Sequence, residues 1–185
     1  MPESAPAGRE SGPDPGLDRL NALSEKELCV RLSQCLDVER WVRALASEAP
    51  FVDRTALLEA ADRHARSITG DEVARALARH PRIGERVGGG DTESAWSRGE
   101  QSAFAADTDD ASVRVQRIFA HAQREYEAEF GQIYLVCASG RSSRELLTDL
   151  VDRLFHDSDT ELRVVGDELR KIAGLRLVKL LEENA

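Results

Sequence analysis

Cysteine, lysine and aromatic side chains are scarce in this chain. Its 185 residues include 3 Cys and 5 Phe, 2 Trp and 2 Tyr. Three scattered thiols (Cys29, Cys35 and Cys137) build no disulfide framework and form no CxxC pair. The four histidines, His64, His80, His121 and His156, fall in neither an HExxH nor an HxxxH spacing, so no zinc set is expected. GxGxxG, P-loop and GxSxG patterns are also missing, and with them the usual loops for dinucleotides, phosphates and nucleophilic serine. No apolar run nears the roughly 20 residues of a membrane span. The N-terminus lacks a basic stretch followed by an apolar one, so no signal peptide is expected, and Glu183-Asn184-Ala185 is no peroxisomal address. A net charge of −9 argues against binding the phosphate backbone of nucleic acid. These absences leave a helical domain expected to be soluble and cytoplasmic.

Charge is what the chain has in abundance: 32% of residues are charged, above the typical quarter. Only Lys26, Lys171 and Lys179 are lysines among 25 basic residues; the other 22 are Arg. Residues 1 to about 17 are rich in Pro, Gly, Ser and Glu and read as a disordered tail; residues 18–185 read as one domain. Helix starts then follow one another. Ser24-x-x-Glu27 and Thr69-x-x-Glu72 are capping boxes, in which side chain and backbone satisfy each other's free groups; Ser142-Ser143-Arg144-Glu145 restarts a helix, and Ser158-Asp159-Thr160-Glu161 starts the last one. Leu28, Leu32 and Leu36 share one helical face, and Trp41, Val42 and Leu45 mark a short helix stopped by Pro50. A third helix spans about Asp53 to Ser67. The helix opened by Thr69 ends at His80-Pro81, because the residue before proline is pushed out of the α region.

After a turn at Gly88-Gly89-Gly90, a helix carries Trp96, Glu100 and Phe104. A long helix from about Asp110 to Phe130 follows, with Val115, Ile118, Phe119, Ala122, Tyr126 and Phe130 inward. The last helix turns Leu162, Val165, Leu169, Ile172, Leu175 and Leu180 inward. One stretch breaks the helical period: Ile133 to Ala138 is apolar, β-prone and bounded by Gly131 and Gly140, and it predicts a buried extended segment. The expected fold is all-α, a bundle of about eight helices with one such insert.

Two places invite a chemical reading. His80 is pinned between a helix end and Pro81, which suits an imidazole that must be aimed for proton transfer; a helix C-cap is the plainer alternative. Ser97 and Glu100 share a helix face, with Gln101 beside them, and taken alone they read as an ordinary polar surface.

Together these pieces resemble the family of decarboxylases acting on 2-oxo-4-hydroxy-4-carboxy-5-ureidoimidazoline (OHCU) in purine breakdown. The resemblance runs through Leu20-Asn21-Ala22-Leu23, Trp41-Val42, Pro50-Phe51 and His80-Pro81-Arg82-Ile83-Gly84. It continues in Ser97-Arg98-Gly99-Glu100-Gln101, Phe130-Gly131, Val136-Cys137-Ala138 and Lys171 to Leu177. Ala49 stands where the family often has Arg, and Gln132-Ile133-Tyr134 replaces an aromatic-Pro-aromatic run. The resemblance implies cofactor-free decarboxylation of OHCU to (S)-allantoin by a homodimer. It implies His80 as the catalytic proton-transfer residue and Glu100 as its orienter, or the substrate's. Pro81, Ser97, Arg98, Gly99, Gln101 and the stretch Leu135, Val136, Cys137, Ala138 and Ser139 would line the pocket, and Arg176 would contact the substrate. The competing expectation is a non-catalytic interaction module that kept the fold.

Overall fold

The computed structural model describes residues 14–85, 92–102, 104 and 110–183, excluding the side chains of 93 and 94. The first 13 residues of the expected tail and the Gly88–Gly90 turn lie outside them. Among the described residues the chain forms α1 (Pro15–Asn21), α2 (Glu25–Cys35), α3 (Glu39–Ala46), α4 (Arg54–Ala65), α5 (Gly70–Leu77), α6 (Thr92–Glu100), α7 (Asp110–Phe130), α8 (Ser143–Arg153) and α9 (Ser158–Glu183). No strand occurs among them. The fold is all-α.

The capping boxes at Ser24 and Thr69 form as expected, and Ser142 forms a third. The last helix begins at Ser158 as expected, without such a box. The carboxylate of Asp157 accepts from the Thr160 amide at 2.7 Å, and Glu161 turns into the interior, where it is 1% exposed. Buried cationic and phenolic partners hold Glu161 more strongly than a solvated helix end would. The expected boundary of the tail also moves. Asp14 caps α1, with Pro15 at the first helical positions where a missing N–H costs nothing. Gly16 packs under α9, where an added Cβ would lie 2.0 Å from the Leu181 carbonyl oxygen. Two inward assignments fail: Ile118 is 55% exposed and Leu175 is 38% exposed. Each sits one residue, about 100° of helix, off the buried stripe that runs through Phe119 and through Arg176.

The interior divides in two. The larger core joins α1–α5 with α9 and is rich in Leu and Ala. Trp41 is buried there and its indole N–H donates to the Ala61 carbonyl at 2.9 Å. Each such large side chain contributes about 1.5–3 kcal/mol by burial. The smaller core joins α7 and α8 to Ile83 and Phe104. Residues 133–138 run between the two without helix, turn or bend. Ile133, Leu135 and Cys137 face the larger core, while Tyr134, Val136 and Ala138 face the smaller. That alternation is the two-residue period of an extended chain. The insert is therefore the seam between two cores.

Candidate active site

The site forms where this seam meets the ends of α5 and α6. Helix α5 ends just before His80, whose amide donates to the Leu77 carbonyl at 2.9 Å. The loop after it is clamped from three directions. Arg82 forms a two-pronged pair with Glu127 of α7, at 2.5 and 2.9 Å. Gln123 donates to the Ile83 carbonyl at 3.1 Å. The Gly84 amide donates to Gln101 Oε1 at 3.0 Å. Gly84 has φ +80°, a conformation that costs glycine nothing and other residues a steric clash. The loop thus holds His80 against a narrow pocket lined by His80, Pro81, Ile83, Ser97, Glu100, Gln101, Tyr134, Leu135, Val136, Ala138 and Ile172.

His80 Nδ1 lies 3.1 Å from the Ala76 carbonyl. A carbonyl only accepts, so Nδ1 carries the proton and Nε2 is the lone-pair nitrogen. Nε2 is buried and has no partner among the described residues. Burial first, and then the nearby positive charge of Arg176, hold the imidazole below its ordinary 6.5. The ring is therefore neutral at pH 7. The expected orientation by Glu100 is corrected here: the backbone of α5 sets the tautomer, and the pKa moves down because desolvation and Arg176 outweigh the carboxylate.

Glu100 is committed elsewhere. Its two oxygens accept from Arg176 Nε and Nη2, each at 3.1 Å, and Lys179 Nζ approaches one of them at 3.3 Å. Burial alone would raise this carboxyl, but Arg176 and then Lys179 outweigh it and hold it below the usual range. Arg176 Nη2 also donates to Ser97 Oγ at 3.1 Å. Arg176 is 4% exposed, and its Nη1 makes no hydrogen bond among the described residues. The expected residues thus separate. His80, Pro81, Ser97, Glu100, Gln101, Leu135, Val136 and Ala138 line one pocket, and Arg176 stands behind Glu100. Arg98 and Gly99 lie on the exposed side of α6, and Ser139 lies in an exposed turn. Cys137 packs against the larger core and does not line the pocket. Sequence reasoning missed Ile83, Tyr134 and Ile172; the two-residue period of the seam, read from Val136, points to Tyr134.

Comparison with known proteins identifies the family and the fold. The OHCU decarboxylase family model matches residues 21–178. The "Uric acid degradation bifunctional protein TTL" of Arabidopsis thaliana is 27% identical over 82% of this chain; the chain spans 46% of that protein, about half its length. The 2-oxo-4-hydroxy-4-carboxy-5-ureidoimidazoline decarboxylase of Haloferax volcanii is 25% identical over 88% of this chain and 94% of its own. The crystal structure of OHCU decarboxylase in the presence of (S)-allantoin superposes with a TM-score of 0.66, at 24% identity, over 86% of this chain and 99% of that one. The crystal structure of (S)-allantoin synthase gives 0.64 at 17% identity, over 89% and 53%. These structural likenesses show a shared fold, and the match across residues 21–178 shows that the chain belongs to the OHCU decarboxylase family.

Proposed function

We propose that this chain decarboxylates OHCU to (S)-allantoin, with His80 Nε2 as the atom that moves the proton. The decarboxylase assignment follows the family, a family of carboxy-lyases, and takes precedence over a non-catalytic module. The observation that carries the mechanism is a neutral imidazole at a narrow pocket, with Nδ1 occupied and Nε2 bare.

The substrate's carboxylate sits on a carbon beside a C=N carbon. When the bond to CO₂ breaks, its electron pair passes toward the imine nitrogen, which takes up a proton from the medium. The substrate thus supplies its own electron sink. A neutral His80 has no Nε2 proton to give at the outset. It takes the proton of the ring hydroxyl as that oxygen becomes a carbonyl, then returns it to the carbon bearing the ureido group. Delivery to one face sets the S configuration, and one proton is consumed overall. The pocket's contribution is orientation, exclusion of water and one aimed acid–base group, the last worth about 10²–10⁴-fold. Arg176 does not line the pocket and acts through Glu100 and Ser97, which do. Glu100 offsets the charge of Arg176, so the site does not grip the leaving carboxylate, which would stabilise the ground state.

The test generates OHCU in situ from urate with uricase and 5-hydroxyisourate hydrolase and follows optically active allantoin by circular dichroism. Acceleration over the spontaneous reaction is expected, and its absence overturns the reading. His80→Ala is expected to lower kcat/KM by about 10²–10⁴-fold while folding normally; full activity in that variant would remove His80 from the mechanism. The family resemblance also supports a homodimer, expected to sediment at twice the 20.4 kDa chain mass. Among the described residues no helix is long and apolar enough to cross a membrane, and we place the activity in the cytoplasm.

A further inference from the structure

The pocket wall is an extended segment with no neighbouring strand among the described residues, yet its backbone is buried. Buried backbone groups need partners. Two charged side chains supply them. Arg153 Nη1, from the end of α8, donates to the Leu135 carbonyl at 2.8 Å. Glu168 Oε2, from α9, accepts from the Cys137 amide at 2.7 Å. On an extended chain the C=O of residue 135 and the N–H of residue 137 point to the same edge. They are the pair that a parallel neighbour would engage on either side of residue 136.

Both side chains are themselves held. Arg153 is 4% exposed; its Nε donates to Glu161 at 2.9 Å and its guanidinium lies 4.7 Å from the centroid of the Tyr134 ring. Glu168 is 8% exposed and takes Lys171 Nζ at 2.6 Å on its other oxygen. A buried ion is a costly way to gain stability, since apolar replacements of similar volume often do as well. What Arg153 and Glu168 add is a fixed position for one stretch of backbone, and that stretch presents Tyr134, Leu135, Val136 and Ala138 to the pocket.

We propose that Arg153 and Glu168 are positioning residues, standing in for the missing strand and setting the pocket wall against which the substrate is oriented. The proposal rests on the catalytic reading above for its kinetic readout only. Glu168→Gln keeps an acceptor for the Cys137 amide and is expected to retain kcat and KM within about threefold. Glu168→Met keeps the length but not the acceptor. It is expected to raise KM at least tenfold with kcat changed less, and to speed amide hydrogen exchange in residues 133–138 by at least a hundredfold while α2 and α4 keep their protection. The double change Arg153→Gln and Glu161→Gln, which leaves no unpaired buried charge, is expected to shift KM in the same direction. A folded Glu168→Met protein with wild-type KM and wild-type exchange at 133–138 overturns the proposal. So does Glu168→Gln behaving like Glu168→Met, because the charge and not the acceptor would then matter. If the wild-type chain proves inactive toward OHCU, the catalytic reading fails alone, and the exchange experiment still decides this one.

Discussion

The larger core is packed almost entirely from Leu, Ala and Val of α1–α5 and α9, with the Trp41 indole satisfied by one backbone carbonyl. The smaller core, between α7, α8 and the seam, admits Gln123, Arg153, Glu161, Tyr126 and Tyr134. Tyr126 and Arg153 both bond Glu161, and Tyr134 stands edge-on to Tyr126 at 5.5 Å and to Phe119 at 5.9 Å. Apolar packing tolerates many arrangements of similar energy, whereas a satisfied polar network tolerates few. The pocket straddles that division, taking Leu135 and Ile172 from the larger core and Ile83, Tyr134, Val136 and Ala138 from the smaller. We read the larger core as the source of stability and the smaller one as the source of alignment.

Four experiments press on this contrast. Arg153→Ala is expected to have the largest effect, about 3–5 kcal/mol, because it strips the guanidinium from buried Glu161 and leaves that carboxylate only Tyr126 and His156; urea unfolding with the midpoint and slope both recorded measures it. Leu57→Ala, in the larger core at 0% exposure, is expected to cost about 3 kcal/mol for lost burial and the remaining cavity. Its kcat and KM per folded molecule should nonetheless equal wild type; a change in either would blur the division of labour. Gly84→Ala forces a side chain into φ +80°, 3.1 Å from the Phe104 ring, at about 1–2 kcal/mol. Its effect on kcat/KM should exceed what that destabilisation predicts, because the loop carries His80. Thr69→Ala removes one cap of α5 and should cost about 1 kcal/mol in thermal unfolding with no kinetic effect.

The pH dependence follows from His80. Its folded-state pKa lies below the ordinary 6.5, so the unfolded chain binds the proton more readily. The contribution to stability is full above about 6.5 and is lost as pH falls through the lowered folded value. The rate should follow the same direction, since a protonated Nε2 cannot accept the hydroxyl proton. In His80→Ala that acid-side fall in rate should vanish.

Much of the architecture was legible in residues alone, because it depends on neighbours in the chain. The boxes at Ser24, Thr69 and Ser142 declare helix starts locally. His80-Pro81 declares a stop, and the alternation through 133–138 declares an extended segment. Ser158 likewise declares the last helix start, but only the approach of Arg153 and Tyr126 across the smaller core makes the interior the place for Glu161. Family resemblance pointed to His80, Glu100 and Arg176, but not to who holds whom. That Arg176 pairs with Glu100, at a separation of 76 residues, and that the Ala76 carbonyl rather than a carboxylate sets the imidazole tautomer, are facts of distance between elements. The scarcity of lysine, cysteine and histidine narrowed the chemistry to a small polar set on a helical frame. Tertiary packing decided which of those groups met, which were neutralised, and that the buried His80 Nε2 was left without a partner among the described residues, because burial strengthens each charge and hydrogen bond only where folding brings the partners together.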